Sequence, residues 1–380
     1  MMYEGKHVAV IGGGIAGTTA ALAFARRGAF VDVYERAAAI REFGAGLQIT
    51  PNGARGLQSL GLDLASGLVG QAVVPRDLHS GRQVARFDLT GLSGPPYRFF
   101  HRGDLIGLLA AACTAAGVRF HLNTKASADQ SGTVSWHGGT QQADLIVVAD
   151  GLHSATRQAL FPAAPRFTGQ VAWRAVVPAD HPPEAHIWMG PRHHVVTYPL
   201  PAAPDPMVNI VAVEERSGWA PEGWRHLDTP ENLKTAFTDA APELANLISH
   251  VRQPMLWGLF LHPVARQWVH GRCVMIGDAA HPTLPFLAQG ANLAIEDAVS
   301  LALADDLAAW QGARIARVSR AIRAASANAR NYHLSGPAQR VAHFGLGAIG
   351  RIAPRAFLGA TDWLYGFDPS QMSSSTQTGT

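Results

Sequence analysis

His7-Val8-Ala9-Val10-Ile11-Gly12-Gly13-Gly14-Ile15-Ala16-Gly17 places a short apolar run directly before four glycines in six positions. The run has the pattern of a buried strand. Thr18–Arg27 is Ala-rich and reads as a helix, and Phe30-Val31-Asp32-Val33-Tyr34 is a second strand ending at Glu35. Strand, glycine turn, helix and strand in that order make a βαβ unit with a short crossover. In the turn, Gly12 permits the tight bend, Gly14 lets the backbone approach a pyrophosphate, and Gly17 allows close helix–strand packing. The helix start after it offers free N–H groups and a positive dipole end to an anion. Gly12, Gly14, Ala16 and Gly17 are therefore candidate cofactor-binding residues. Glu35 lies 21 residues after Gly14 (35 − 14), where a carboxylate holds ribose hydroxyls. Its charge repels a 2′-phosphate, so the bound adenosine is expected to belong to FAD or NAD, not NADP.

A second segment lies 263 residues further on (277 − 14): Gly277-Asp278-Ala279-Ala280-His281-Pro282, running through Pro285 to Gln289-Gly290. One local fingerprint would not need it, so a long cofactor gripped at both ends is implied. Asp278, directly after the apolar Cys273-Val274-Met275-Ile276, can accept hydrogen bonds from the ribityl hydroxyls of a flavin. Residues 282–291 form a loop leading to a helix start, where the N–H groups of Gly290 and Ala291 can stabilise negative charge on the flavin ring. This favours FAD.

Between these segments the pattern changes twice. Asp104–Ala116 reads as a helix stopped by Gly117, and Val118–Leu122 and Ala143–Ala149 as strands, the latter ending at Asp150-Gly151. From about Gly169 to Gly258, alternating strands (Val171–Val177, Val195–Tyr198, Val208–Val213) and Pro-rich turns suit an antiparallel sheet. Leu293–Trp310 reads as one amphipathic helix and Phe344–Leu364 as an apolar tail helix that caps the substrate domain. The arginines at 314, 317, 320, 323 and 330 are expected to form a solvated or FAD-domain-facing stripe. The fold class expected is α/β: a Rossmann-type FAD-binding domain with an inserted, mainly antiparallel substrate domain and a C-terminal helical segment. In residues, 1–70, 100–168 and 259–330 form the FAD-binding domain, 71–99 and 169–258 the substrate domain, 331–370 the helical segment, and 371–380 a disordered tail.

The bulk composition excludes other classes. A net charge of +3, spread along 380 residues, gives no basic patch for nucleic acid. Two cysteines, neither in a CxxC pair, disfavour a dithiol flavoprotein reductase, disulfides and cysteine-ligated metal. No apolar run reaches the ~18 residues that a spanning helix needs. No signal-like segment precedes His7, so the protein is expected in the cytoplasm, as a monomer or homodimer.

The chain resembles the class A flavoprotein monooxygenases, aromatic hydroxylases related to p-hydroxybenzoate and salicylate hydroxylases. Four motifs carry the resemblance over residues 7–310: GGGIAG with Glu35, Arg102 in His-Arg-Gly-Asp-Leu, Asp150-Gly151 in VVADGLHSATR, and GDAAHP. Gly44–Asn52, containing Gln48, is also similar to the family's segment near the flavin. The resemblance implies non-covalent FAD, NAD(P)H as co-substrate, and oxygenation of a small aromatic through a flavin C4a-hydroperoxide. It implies that Arg102 touches the pyrophosphate or ribityl chain, that Arg36 and Arg41 lie near the adenosine half, and that Thr124 offers a backbone contact to adenine. Asp150-Gly151 serves FAD and transient NAD(P)H docking, with Asp150 alternatively only a helix cap. Pro285 lies over the flavin.

His194 and Tyr198, four apart on a strand, share one face and can accept or orient a substrate phenol proton. A packed or exposed histidine remains the plainer alternative. The arrangement is similar to the branch acting on 3-hydroxybenzoate and 6-hydroxynicotinate, although Gln48 and Pro285 depart from residues found in some of its members. His193 is expected to face solvent, and His281 to support the flavin loop. The rivals are an isoprenoid epoxidase or a reductase on the same scaffold, or a non-catalytic dinucleotide-binding protein.

Overall fold

The computed structural model describes residues 2–40, 46–201, 205–218, 226–352 and 354–372. Its centre is a six-stranded sheet in the spatial order Val269–His270, Cys273–Met275, Leu145–Val148, His7–Ile11, Phe30–Tyr34 and Arg119–His121. All neighbours pair in parallel except the Val269–His270 edge. A parallel sheet covered on both faces needs apolar strands, and Leu145–Val148 is buried at every position. Helix Ile15–Ala25 covers one face and packs on helices Arg102–Ala115 and Gly290–Leu303. On the other side Trp136, from the small antiparallel sheet of Ala126–Ala128, Thr133–Trp136 and Gly139–Gln142, reaches within 5.1 Å of the Tyr34 ring.

The second large sheet has eight strands: His226–Leu227, Met255–Leu261, Arg166–Pro178, Met207–Glu215, His193–Leu200, Glu184–Gly190, Ala72–Asp77 and Phe87–Asp88. Only the Glu184–Gly190 and Ala72–Asp77 pair is parallel. One face of this sheet packs on helices Pro230–Ala236 and Pro242–Ser249 through Trp173, Val208 and Leu244. The other face packs on the turn Pro285–Leu287 and helix Leu307–Tyr332 through Ala172, Val213 and Trp257. A three-stranded sheet of Gly46–Ile49, Arg98–His101 and Leu68–Val69 bridges the two halves.

Several elements differ from their sequence reading. The helix expected over Leu293–Trp310 is two helices, Gly290–Leu303 and Leu307–Tyr332. Ala304 turns extended, and Asp306 caps the second helix by accepting from Ala308 and Ala309 N–H. The tail helix is likewise two, Gly336–Ile352 and Pro354–Tyr365. The tail from 373 onward lies outside the described residues. No helix among the described residues is long and apolar enough to cross a membrane, and no His, Cys, Asp and Glu cluster among them could hold a metal ion.

Candidate active site

The first glycine turn is sterically compulsory. Gly12 has φ +104°, and a Cβ there would lie 2.4 Å from the Ala149 carbonyl oxygen. A Cβ on Gly17 would lie 1.9 Å from the Gly12 oxygen. Helix Ile15–Ala25 begins immediately after Gly14 and carries Ala16 in its first turn. Glu35 stands at the strand end, accepting from Gly13 N–H at 2.7 Å and from Ala37 N–H at 2.8 Å. Those donors fix the carboxylate beside the turn. The Thr124 N–H is spent on the Glu35 carbonyl at 2.8 Å, which leaves its own carbonyl as the backbone group for an adenine. Arg36 is exposed and lies close enough to Asp150 to favour its charged form. Arg41 lies outside the described residues.

Asp150 follows the central strand Leu145–Val148. Its carboxyl is pushed up by burial, and its buried Oδ1 has no hydrogen-bond partner among the described residues. Ser154 is the N-cap of helix Ala155–Leu160, its Oγ accepting from Arg157 N–H at 3.0 Å, and the Asp150 carboxyl bonds the Ser154 side chain and the Ala155 N–H at the same helix start. Gly151 takes φ +81°. A buried carboxylate oxygen of this kind, above a glycine cradle, fits a ligand rich in hydroxyl donors.

The second segment arrives at the same place. Gly277 has φ +57°, and a Cβ on it would lie 3.0 Å from the Ala16 Cβ. The two glycine segments, so distant in sequence, are thus in van der Waals contact. Burial pushes the Asp278 carboxyl up, while His281, Arg102, His262 and Arg157 oppose it. Buried charges hold the turn that carries Asp278. Asp297 accepts from Gly277 N–H at 3.0 Å, from His281 Nε2 at 2.5 Å and from Arg314 Nε at 2.8 Å. Arg314, fully buried, also donates to Glu296 at 2.6 Å, and Arg317 donates to the same carboxylate. The foot of the arginine stripe therefore takes the inward of its two expected placements, facing helix Gly290–Leu303 through an internal ion network. His281 supports the loop as read, stacked on Trp268 at 5.0 Å. Arg157 donates to the carbonyls of Pro263, Ala279 and Ala280.

Pro285–Leu287 forms a short 3-10 turn, Ala288 reverses the chain at φ +54°, and Gly290 opens the helix that contains Ala291. Asn292 secures this loop to the bridging sheet by donating to the Gln48 and Ala288 carbonyls and accepting from Thr50 N–H. Gln48 accepts the Tyr97 hydroxyl through its side chain and also bonds the Tyr198 side chain.

His194 and Tyr198 are both buried on one face of strand His193–Leu200. Tyr198 stacks on Phe99 at 5.2 Å, and burial pushes its hydroxyl up to about 12, opposed by Arg174, Gln48 and Arg102. The His194 ring meets Phe286 of the Pro285 turn at 5.4 Å. Burial, then His333 and His193, holds His194 well below its usual range, so it is neutral near pH 7. Burial and then Arg174 pull Arg102 down to about 10, with Asp278 and Tyr198 opposing, which groups two guanidiniums near Tyr198 and Asp278. His193 does not face solvent as expected. It packs edge-on against Phe237 at 5.2 Å and is half-buried on the opposite face.

Residues 6–315 match the FAD binding domain family. The chain belongs to that family. The flavoprotein is 36% identical to 3-amino-4-hydroxybenzoate 2-monooxygenase PtnB3 of Streptomyces platensis, over 97% of each chain. It is 34% identical to 3-hydroxybenzoate 6-hydroxylase of Polaromonas naphthalenivorans strain CJ2, over 95% of this chain and 96% of that one. Its fold is shared with salicylate hydroxylase in a substrate complex, with a TM-score of 0.78, 23% identity and 96% of each chain covered. The flavoprotein is an FAD-dependent monooxygenase. Sequence reasoning gave no role to Asn292, Glu296, Asp297, Arg174 or His333. Only the adjacent Glu296 and Asp297 left a trace, as two carboxylates in an otherwise apolar helical stretch.

Proposed function

We propose that this flavoprotein hydroxylates a small phenol- or hydroxypyridine-type aromatic at the expense of NAD(P)H and O₂. A cytoplasmic location, where NAD(P)H is supplied, goes with that reading. The supporting observation is the approach of His194 to Phe286, which brings a neutral base on the inserted sheet against the loop after Asp278. FAD would be held by Gly12, Gly14, Gly17, Glu35 and Arg36 at its adenosine half. Arg102, Asp150, Asp278, Gly290 and Ala291 would hold the remainder. Bound FAD, reduced by NAD(P)H, would supply the activation of O₂, one atom of which goes to the ring.

The chain's own residues do the rest. His194 accepts the ring hydroxyl proton, which makes the ring more nucleophilic. Tyr198 and Gln48 hold the polar edge of the ring, with Phe99 behind Tyr198. Phe286, Trp257, Leu259 and Val213 form one apolar cluster that keeps water from the reacting carbon. That dryness matters because water would divert the activated oxygen to H₂O₂. The buried guanidiniums of Arg102 and Arg174 make an acidic substituent on the ring favourable, as in a hydroxybenzoate.

The test is a screen of hydroxybenzoates, aminohydroxybenzoates and hydroxypyridines for stimulated NADH oxidation, followed by ¹⁸O₂ incorporation into the product. Yellow protein whose NAD(P)H oxidation responds to no aromatic, or responds to alkenes instead, would overturn the proposal.

A further inference from the structure

Taking a proton onto His194 creates a difficulty, because the residue is 1% exposed. Its ring neighbours are Phe286, Tyr332 at 5.2 Å and His333 at 4.8 Å. A charged imidazole trapped there is costly. The structure offers an exit. His194 Nδ1 lies 2.6 Å from His333 Nε2, and His333 Nδ1 lies 2.7 Å from Glu215 Oε1. The Glu215 side chain is 40% exposed. Three titratable groups, each at hydrogen-bonding distance from the next, therefore lead from the inner sheet face to solvent. They come from three places in the sequence: strand His193–Leu200, the end of strand Met207–Glu215, and the residue capping helix Leu307–Tyr332.

The surrounding groups leave this line intact. His193 is turned to the opposite face, where Glu214 holds it at 3.9 Å, and Glu214 is itself paired with Arg216 at 2.8 Å. Gln170 Nε2 reaches His333 Nδ1 only at 3.4 Å. Arg192 meets the Glu215 carbonyl, not its carboxylate.

We propose that His194, His333 and Glu215 form a proton relay carrying the substrate's hydroxyl proton to solvent. This rests on reading the surroundings of His194 and Tyr198 as a phenol site. His194 Nδ1 is committed to His333, so Nε2 is the nitrogen that meets the substrate. Both rings start with their proton on Nδ1. The substrate O–H bond breaks as an N–H bond forms at His194 Nε2. The Nδ1 proton of His194 passes to His333 Nε2, and the Nδ1 proton of His333 passes to Glu215 Oε1 and then to water. The line resets when the product oxygen takes a proton back along the same path. No oxidant or second reactant is required. Burial holds both histidines below their ordinary range, with Glu215 opposing at His333, so the rings pass the proton on instead of storing it. His333 and Glu215 act through His194 and are positioning and relay residues.

The experiment compares wild type, Glu215→Gln and His333→Ala as FAD-loaded enzymes, using whichever hydroxybenzoate stimulates the wild type most. Expected are unchanged flavin absorbance and KM, and kcat lowered on the order of 10²-fold in His333→Ala, a typical contribution for positioned proton transfer. Added imidazole should restore kcat in His333→Ala as its concentration rises, while leaving wild type unaffected. Glu215 is half-exposed, so Glu215→Gln should fold normally and still slow turnover. Unchanged kcat in both variants, or a loss that imidazole does not rescue, overturns the relay. A separate readout needs no turnover: ¹⁵N NMR of the histidine rings should show His333 protonated at Nδ1 in wild type and redistributed in Glu215→Gln. If no aromatic stimulates wild type, the proposed function fails while this readout still decides the relay; an unchanged His333 tautomer in Glu215→Gln rejects it.

Discussion

Replacing Asp297 by Asn should destabilise the apoprotein by about 3 kcal/mol, the lower end of the cost of breaking a buried ion pair. The geometry sets that figure. Three donors converge on the carboxylate: Gly277 N–H, His281 Nε2 and Arg314 Nε. An asparagine offers one acceptor oxygen to these three and turns an NH₂ group toward the rest. Arg314 keeps its bond to Glu296 at 2.6 Å, which is why the loss should not reach the upper end. Because Gly277 and His281 anchor the turn carrying Asp278, FAD should also bind more weakly. The assay is urea unfolding of the FAD-free protein, with FAD affinity from quenching of flavin fluorescence. Arg314→Met should be less harmful in an Asp297→Asn background than alone, with a coupling of about 1–3 kcal/mol between these touching groups. An apoprotein within about 1 kcal/mol of wild type, or strict additivity with Arg314→Met, would refute the assignment of the network as the support of the flavin turn.

Gly17→Ala should abolish FAD binding, since its Cβ would lie 1.9 Å from the Gly12 oxygen, and the purified variant should be colourless. Tyr198→Phe should leave the colour intact but raise the share of NADH oxidised to H₂O₂, measured with peroxidase; unchanged coupling would remove Tyr198 from the site. At Asp32, burial pushes the carboxyl up, but hydrogen bonds from Arg119, His121 and His7 outweigh it and lower it to about 2 from an ordinary 3.8. A carboxyl depressed by folding contributes stability above its unfolded value and loses it as pH falls through its folded value. Wild type should thus lose stability relative to Asp32→Asn between pH 3.8 and about 2. Parallel acid-unfolding curves for the two proteins would contradict this.

The nucleotide site was legible because its glycines are dictated by local sterics. Gly12 and Gly17 occupy positions where any side chain strikes backbone, and such demands recur at fixed spacing. Glu35 was legible for a similar reason, standing at the end of a strand one βαβ unit away. The support of the second segment was not, because Glu296, Asp297 and Arg314 look like ordinary helical charges until tertiary packing buries them together. The break at Ala304–Asp306 was hidden by an uninterrupted helical pattern, and only the cap made by Asp306 reveals it. His333 lies 139 residues from His194 (333 − 194), and no periodicity links them. Its partnership depends on where a long helix happens to end.

The pairing of Leu145–Val148 with Cys273–Met275 has a consequence for biosynthesis. These neighbours are separated by 125 residues (273 − 148), and six of the eight strands of the inserted sheet must leave the ribosome between them. At ordinary translation speeds the wait is roughly 6–25 s. During it, an all-apolar strand presents an open edge, the kind of surface that recruits other chains. The second half of the flavin site emerges only afterwards, so complete cofactor loading comes late in synthesis. FAD can therefore contribute stability only once the chain is nearly complete.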